Sequence, residues 1–130
     1  MVAAETREDA EYYDVFASTC PSRPVLEHVT GRWGSLTLGA LADGPRRFND
    51  LRRRVDGVSQ KILAQTLQTL ERDGFVKRTV HSTFPLHVEY SLTPMGQTLA
   101  DRLLDFFRHL QDQMTDVERA QQEYDNRPPQ

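Results

Sequence analysis

Long polar side chains occupy one face of a segment in the middle of the chain, opposite a stripe formed by Leu63, Leu67 and Leu70. Lys61 and Gln65 lie on this polar face. An α-helix fits the major groove of B-DNA, where lysine donates to O6 or N7 of guanine and glutamine bonds N6 and N7 of adenine. The spacing therefore predicts a helix whose outer face contacts DNA bases through Lys61 and Gln65.

Basic residues concentrate in the same region. The whole chain has a net charge of -3, but residues 45–80 hold nine basic and four acidic residues, whereas residues 1–19 hold one arginine and five acids. A basic centre between acidic ends favours contact with phosphates. Arg52 and Arg53 are candidates for that contact. The hydroxyl and amides of Ser59 and Gln60 are also candidates, since a helix N-terminus attracts anions.

Cys20 is the only cysteine and stands directly before Pro21, at the predicted start of a helix. The helix dipole and the unpaired amides favour a thiolate there, and we expect Arg23 to add a cation. A single cysteine excludes an intrachain disulfide. Reversible chemistry would be a disulfide between subunits, a mixed disulfide or an electrophile adduct. The alternative is that Cys20 is a small buried apolar residue.

Apolar spacing and turn residues predict the elements that position these groups. A short helix begins at Cys20-Pro21-Ser22 and ends at Gly31, and a second apolar pattern runs to Asp43-Gly44-Pro45. A third short helix contains Leu51 and Val55. Two strands flank a hairpin tip at residues 82–86. The further helices are expected from Ser59 to Asp73-Gly74 and from Thr93-Pro94 onward, each with its hydroxyl residue as N-cap.

This order of elements is typical of a winged helix-turn-helix: mainly α with a small antiparallel β-hairpin. The last helix carries an apolar stripe too long for so small a domain to cover, so we expect a partner helix against it. The residues expected at this dimer interface are Leu99, Leu103, Phe106, Phe107, Leu110 and Met114.

The 130 residues suit one domain. We expect an acidic arm over residues 1–19, flexible or docked on a partner, a winged helix-turn-helix domain with its dimerisation helix over 20–120, and a frayed tail over 121–130. No apolar run reaches membrane-spanning length, and the first residues lack the basic and apolar regions of a signal peptide. The expected location is the cytoplasm.

Several motifs resemble the HxlR family of bacterial transcription regulators. They include Gly31-Arg32-Trp33, and the most specific are Gly44-Pro45-Arg46-Arg47-Phe48-Asn49-Asp50-Leu51 and Glu89-Tyr90-Ser91-Leu92-Thr93-Pro94-Met95-Gly96. The resemblance covers residues 20–110 and implies a homodimer similar to MarR-type regulators, which dimerises through its N- and C-terminal helices and binds a palindromic site. It also implies that Cys20 senses quinones, aldehydes or oxidants.

The chain departs from the family pattern in the predicted hairpin. His87 stands where a basic residue is usual, and Leu86 where proline is common. This weakens contact with phosphates and favours a pH-dependent contact, since histidine side chains titrate near neutrality. The full set of candidate DNA contacts is Arg46, Asn49, Arg52, Arg53, Ser59, Gln60, Lys61, Gln65, Arg78, His81, Ser82, Thr83 and His87.

These observations favour a sequence-specific DNA-binding regulator that acts as a repressor, since a compact dimer on a promoter occludes polymerase. An enzyme is not expected, because the chain lacks a nucleophile–base pattern, a Gly-rich phosphate loop and metal-ligand spacing of its histidines. We expect no cofactor and no metal. Two alternatives stay open: a protein-interaction module that binds an acidic partner, and a regulator gated by a small aromatic ligand. The aromatic residues that would line such a pocket, at the seam between two subunits, are Trp33, Tyr90, Phe106 and Phe107.

Overall fold

A computed structural model of the chain describes residues 13–129, which form five helices and one two-stranded antiparallel sheet. The elements are α1 (Ser22–Thr30), α2 (Arg32–Ala40), α3 (Phe48–Arg54), α4 (Gln60–Arg72), β1 (Val76–Thr83), β2 (Leu86–Leu92) and α5 (Pro94–Asp125). The predicted fold class, a winged helix-turn-helix, is confirmed. The wing is the hairpin of β1 and β2.

The core surrounds α2, which contacts α1, α3, α4 and α5. Leu38 of α2 is fully buried, and so are Leu63 and Leu70 of α4. Burying a leucine side chain contributes about 1.5–3 kcal/mol. The predicted apolar stripe of α4 therefore holds this helix against the core and leaves its polar face outward.

Side-chain caps fix the beginnings of α4 and α5 as the sequence predicts. The Ser59 hydroxyl accepts a hydrogen bond from the amide of Ile62 at 3.1 Å. The Thr93 hydroxyl accepts from the amide of Gly96 at 3.1 Å and donates to the carbonyl of Gly74. Gly74, with φ of 86°, ends the turn that follows α4. These bonds set the angle at which the wing leaves α4 and returns into α5.

The hairpin tip is shorter than predicted. Ser82 pairs with His87 and Thr83 with Leu86, so only Phe84 and Pro85 form the turn, and the expected tip over residues 82–86 is wrong. The register shifts between Val80 and Ser82, which leaves His81 as a bulge residue. Beyond this extra residue, the pairing of β1 with β2 resumes and continues to Thr83 and Leu86.

The α5 helix has 32 residues, about 48 Å at the usual helical rise. It ends at Asp125, so the expectation of a frayed tail from residue 121 is wrong for residues 121–125. The amide of Asn126 donates to the Gln122 carbonyl at 3.0 Å, and the Arg127 guanidinium stacks 3.9 Å from the Tyr124 ring centre. Both contacts support the last turn of the helix.

The residues before α1 fold back onto it. Arg23 donates from Nε to the Val15 carbonyl and from Nη2 to the Phe16 carbonyl, each at 2.7 Å. Residues 13–19 are therefore attached to α1. The rest of the predicted acidic arm, residues 1–12, lies outside the described residues.

Candidate nucleic-acid interface and thiol site

The outer face of α4 presents Lys61 and Gln65 to solvent, one helical turn apart. Both side chains are exposed, as the sequence predicts, and Lys61 forms no salt bridge with any residue between 13 and 129. Gln60 and the cap residue Ser59 are also exposed at the start of the helix. The N-terminal half of α4 therefore offers the long donors and acceptors that base edges in a major groove require.

Two adjoining polar depressions connect the start of α4 with the wing. One, of about 510 Å³, lies between α3 and the turn before α4 and includes Arg52. The other, of about 530 Å³, lies between α3 and β2 and includes Arg47. Asn49 and Arg53 line both depressions, so the surface is continuous. We call Arg47, Asn49, Arg52 and Arg53 the basic surface.

Acidic side chains lie within this surface. Asp50 forms a salt bridge with Arg53, and both side chains are largely exposed. Such an exposed pair contributes at most about 1 kcal/mol, so a phosphate can take over the arginine at small cost.

Arg46 lies apart from the basic surface. Its Nε donates to the Ala40 carbonyl at 2.7 Å, and its backbone pairs with that of Tyr90 through bonds of 2.9 and 2.8 Å. It lines a separate depression together with Asp101. The structure thus does not bring Arg46 together with the other candidate contacts.

Arg47 is a basic-surface residue that sequence analysis missed. It is exposed, and its Nη2 lies 3.4 Å from the Leu86 carbonyl of the wing. The backbone at Arg47 is extended, with φ of -79° and ψ of 161°. Successive side chains in an extended backbone point to opposite sides, so the neighbour of the inward Arg46 points outward. That alternation is the signal that could have found it.

The Glu89 carboxylate lies between the two wing histidines and faces both of them. His81 Nε2 lies 2.6 Å from one carboxylate oxygen of Glu89, and His87 Nε2 lies 3.9 Å from the other. The two imidazole rings are 4.9 Å apart between centres. Strand alternation places the three side chains on one face of the sheet, because Glu89 pairs with Thr79, and His81 and His87 each lie two residues along their strand from that pair.

The other wing candidates are separated from this cluster. Arg78 pairs with Tyr90 in the register and is exposed, as is Thr83. The Ser82 hydroxyl donates to the Pro85 carbonyl. The Ser82 hydroxyl therefore stabilises the tip, and its hydrogen is already donated within the chain.

Two hydrogen-bond donors converge on the Cys20 sulfur. The Ser22 hydroxyl donates to Sγ at 3.1 Å and the Asp14 amide donates at 3.2 Å. The bonds from Ser22, and then the bond from Asp14, lower the pKa of the Cys20 thiol below its ordinary value, while partial burial and the Asp14 charge oppose the shift. Arg23, expected to add a cation beside the thiol, instead bonds the carbonyls of residues 15 and 16.

An open apolar groove of about 650 Å³ lies between α1 and the first turns of α5, and Cys20 itself does not line it. Pro21 and Ser22, the residues after Cys20, form one end, and Phe75 and Leu99 lie farther along. We call this the α1–α5 groove. Leu99, a predicted interface residue, faces it.

The aromatic residues of the predicted ligand pocket do not line one cavity in the described chain. Trp33 lines a depression with Gln65, whereas Phe106 is exposed on α5. Tyr90 belongs to the wing. The predicted pocket lies at the dimer seam, which requires a second chain, and it stays a prediction.

No three His, Cys, Asp or Glu side chains among residues 13–129 are placed to hold a metal ion together. Among the described helices, none combines the length and apolar character that a membrane span requires.

The geometry and the relatives define the protein class. The HTH-type transcriptional regulator YtfH of Escherichia coli K12 is 56% identical over 90 residues, which cover 69% of this chain and 71% of that protein. The solved structure of the transcriptional regulator ytfH from Salmonella typhimurium has a TM-score of 0.78 and 50% identity, covering 85% of this chain and 98% of that one. The protein is a transcriptional regulator with a helix-turn-helix DNA-binding domain, rather than an enzyme.

Residues 28–118 match the HxlR-like helix-turn-helix family. The chain belongs to this family, which confirms the resemblance seen in its motifs. The diamide-treated YodB from B. subtilis is also similar, with a TM-score of 0.60 and 31% identity over 71% of this chain and 92% of that one. YodB has also been solved in a quinone-bound form.

Replacing Ser22 by alanine tests the cause of the thiol pKa shift. Loss of the hydroxyl removes the largest contribution that stabilises the thiolate, so the pKa of Cys20 rises and alkylation near pH 7 slows. The measurement is the iodoacetamide rate across pH, with Ser18→Ala as the matched control. If the pH midpoint of alkylation in Ser22→Ala equals that of wild type, the Ser22 hydroxyl is not the cause of the shift.

Proposed function

We propose that the protein is a homodimeric repressor that binds a palindromic DNA operator and senses electrophiles or oxidants through Cys20. The observation that carries the DNA function is the exposed pair Lys61 and Gln65 at the N-terminal half of α4, adjoining a continuous basic surface. The two side chains contact bases in the major groove. Repression follows from occlusion of the promoter, and the site of action is the cytoplasm, where bacterial DNA lies.

Phosphate contacts surround the base contacts in this proposal. Donors at the start of α4 and on α3 fix the register of the helix on DNA but carry no sequence information. The proposed phosphate contacts are Arg47, Asn49, Arg52, Arg53, Ser59, Gln60, Arg78 and Thr83. Arg46 instead supports the interface from within, because it ties the loop before α3 to β2.

An acidic residue lies beside the wing histidines. Glu89 is next to both His81 and His87, and its negative charge repels a phosphate. The wing therefore contributes less to phosphate binding than the basic surface does.

The exposed stripe of α5 supports the homodimer. Phe106, Leu110 and Met114 lie on one side of the helix and are exposed in the single chain. A second copy, related by a two-fold axis, covers them and leaves the α1–α5 groove open. A stable dimer buries about 800 Å² on each partner, and the 32 residues of α5 can supply much of that area.

Three observations support sensing by Cys20. Its thiol pKa is lowered, the two residues that follow it line an apolar groove that suits an aromatic electrophile, and YodB has been solved in diamide-treated and quinone-bound forms. The thiolate adds to a ring carbon of a quinone, and the adduct takes its proton from water. With an oxidant, two Cys20 thiols from two subunits lose two electrons and two protons and form a disulfide.

The α1 helix connects this thiol with α4. Cys20 lies just before α1, and His28 near its end bonds Asp73, the C-cap residue of α4, at 2.6 Å. The Asp73 side chain is only 6% exposed, so this contact is held firmly. A displacement of α1 by an adduct therefore reaches the base-contacting helix.

Gating by a noncovalent ligand is the second candidate, and the volume of the α1–α5 groove favours it. A small aromatic ligand would bind there without thiol chemistry.

The DNA function predicts a specific loss in the double variant Lys61→Ala/Gln65→Ala. Each bidentate base contact contributes about 1–3 kcal/mol of discrimination, so preference for the specific duplex falls at least about tenfold. The measurement compares the protein's own upstream region with a scrambled duplex at two salt concentrations. The variant Gln68→Ala/Arg72→Ala, farther along the same helix, is the matched control. If the two variants prefer the specific duplex to the same degree, Lys61 and Gln65 are not the base contacts.

The dimer predicts that Leu110→Asp yields monomers. Leu110 is 45% exposed in the single chain, so the substitution leaves the fold intact but places a charge in the proposed interface. Sedimentation equilibrium measures the mass, and Thr115→Asp, on the opposite side of α5, keeps it unchanged. A Leu110→Asp protein that sediments as a dimer would exclude this interface.

Thiol sensing predicts that Cys20→Ser keeps DNA binding but loses its response to a quinone or diamide, since serine forms no such adduct. DNA affinity is measured before and after treatment, with Ser18→Ala as a control that keeps the response. If Cys20→Ser still releases DNA on treatment, the noncovalent ligand is favoured and the thiol mechanism fails.

A further inference from the structure

The tip of the wing is an apolar projection. Phe84 is 98% exposed and Leu86 is 62% exposed, and Val80 is exposed behind them. Single apolar residues on a protein surface are ordinary. Here three exposed apolar side chains lie in the outer half of one hairpin, and almost no part of the Phe84 ring is covered by the rest of the chain.

The apolar tip adjoins the basic surface. The Leu86 carbonyl lies 3.4 Å from Nη2 of Arg47, and the Leu86 side of the wing closes the depression that Arg53 and Asn49 line. That depression continues to the turn before α4. The tip of the wing, which carries Phe84, therefore lies beside the proposed phosphate contacts.

The tip itself carries no charge. Residues 82–86 contain no ionisable side chain, and the nearest ones, His81 and His87, both face Glu89. The Ser82 donor is taken by the Pro85 carbonyl. An uncharged apolar tip next to a cationic surface suits a ligand whose charged backbone surrounds an apolar interior. A DNA duplex has this chemistry, with phosphates outside and stacked bases inside.

We propose that Phe84, supported by Leu86, enters the minor groove beside the major groove that α4 occupies, and partly unstacks one base step. Proteins that bend DNA insert apolar side chains of this kind between base pairs. Pyrimidine–purine steps unstack most easily, so the wing adds specificity at a position that Lys61 and Gln65 do not contact. This inference rests on the proposed DNA function.

The test compares wild type with Phe84→Ala and Phe84→Leu on the protein's own upstream duplex. End-to-end energy transfer measures the bend, and a titration measures affinity. Loss of the ring lowers affinity about tenfold and reduces the bend, whereas leucine keeps most of both, since it is also an effective wedge. Phe16→Ala is the matched control, because Phe16 is an 89% exposed phenylalanine before α1, and we expect it to change neither quantity.

A second variant, Phe84→Trp, reports the contact directly. When the duplex is added, we expect the bases to quench the emission of the new tryptophan and to shield it from quenching by acrylamide. Wild type, which contains only Trp33, is the reference for both changes. Netropsin, which occupies the minor groove, reverses the quenching. Each variant is first checked by thermal unfolding against wild type.

The outcomes separate this inference from the DNA function. If wild type prefers its upstream duplex and Phe84→Ala matches it in affinity and bend, the wedge is overturned and the DNA function stands. If wild type shows no preference for any duplex, both fail. If Phe84→Ala loses self-association and keeps its DNA affinity, the tip contacts protein, and the wedge is again overturned.

Discussion

The packing of the α4 leucines against α2 determines which face of α4 the protein presents to DNA. Leu63, Leu67 and Leu70 fill the space beside the buried Leu38, so α4 can rotate only at the cost of exposing them. The polar face then points outward by geometry alone. A one-residue change in this stripe would turn the outer face by about 100° and move the base contacts away from the basic surface.

The sequence predicted most of the elements because their signals are local. The Ser59 and Thr93 caps and the regular apolar stripes identify α4 and α5 with few alternatives. The tip of the wing was predicted poorly, since the bulge at His81 depends on pairing across the hairpin. The end of α5 was also missed, because the contact of Arg127 with Tyr124 is a side-chain interaction that propensity does not encode.

The candidate site was harder to predict than the fold. Arg46 and Arg47 are neighbours of the same type, and the bond of Arg46 to the Ala40 carbonyl at the end of α2 shows which of them points inward. The donors to Cys20 include the Asp14 amide, six residues earlier, which depends on how the chain turns before α1. In both cases one partner lies in a loop, where residue spacing carries little information.

Selection of bound duplexes from a random pool by the purified, reduced protein tests whether α4 recognises a defined DNA sequence as part of a symmetric dimer. We expect enrichment of two inverted half-sites whose centres are about 10–10.5 base pairs, or a multiple of that distance, apart. A pool that stays random after repeated selection, or that converges on a single half-site, would contradict it.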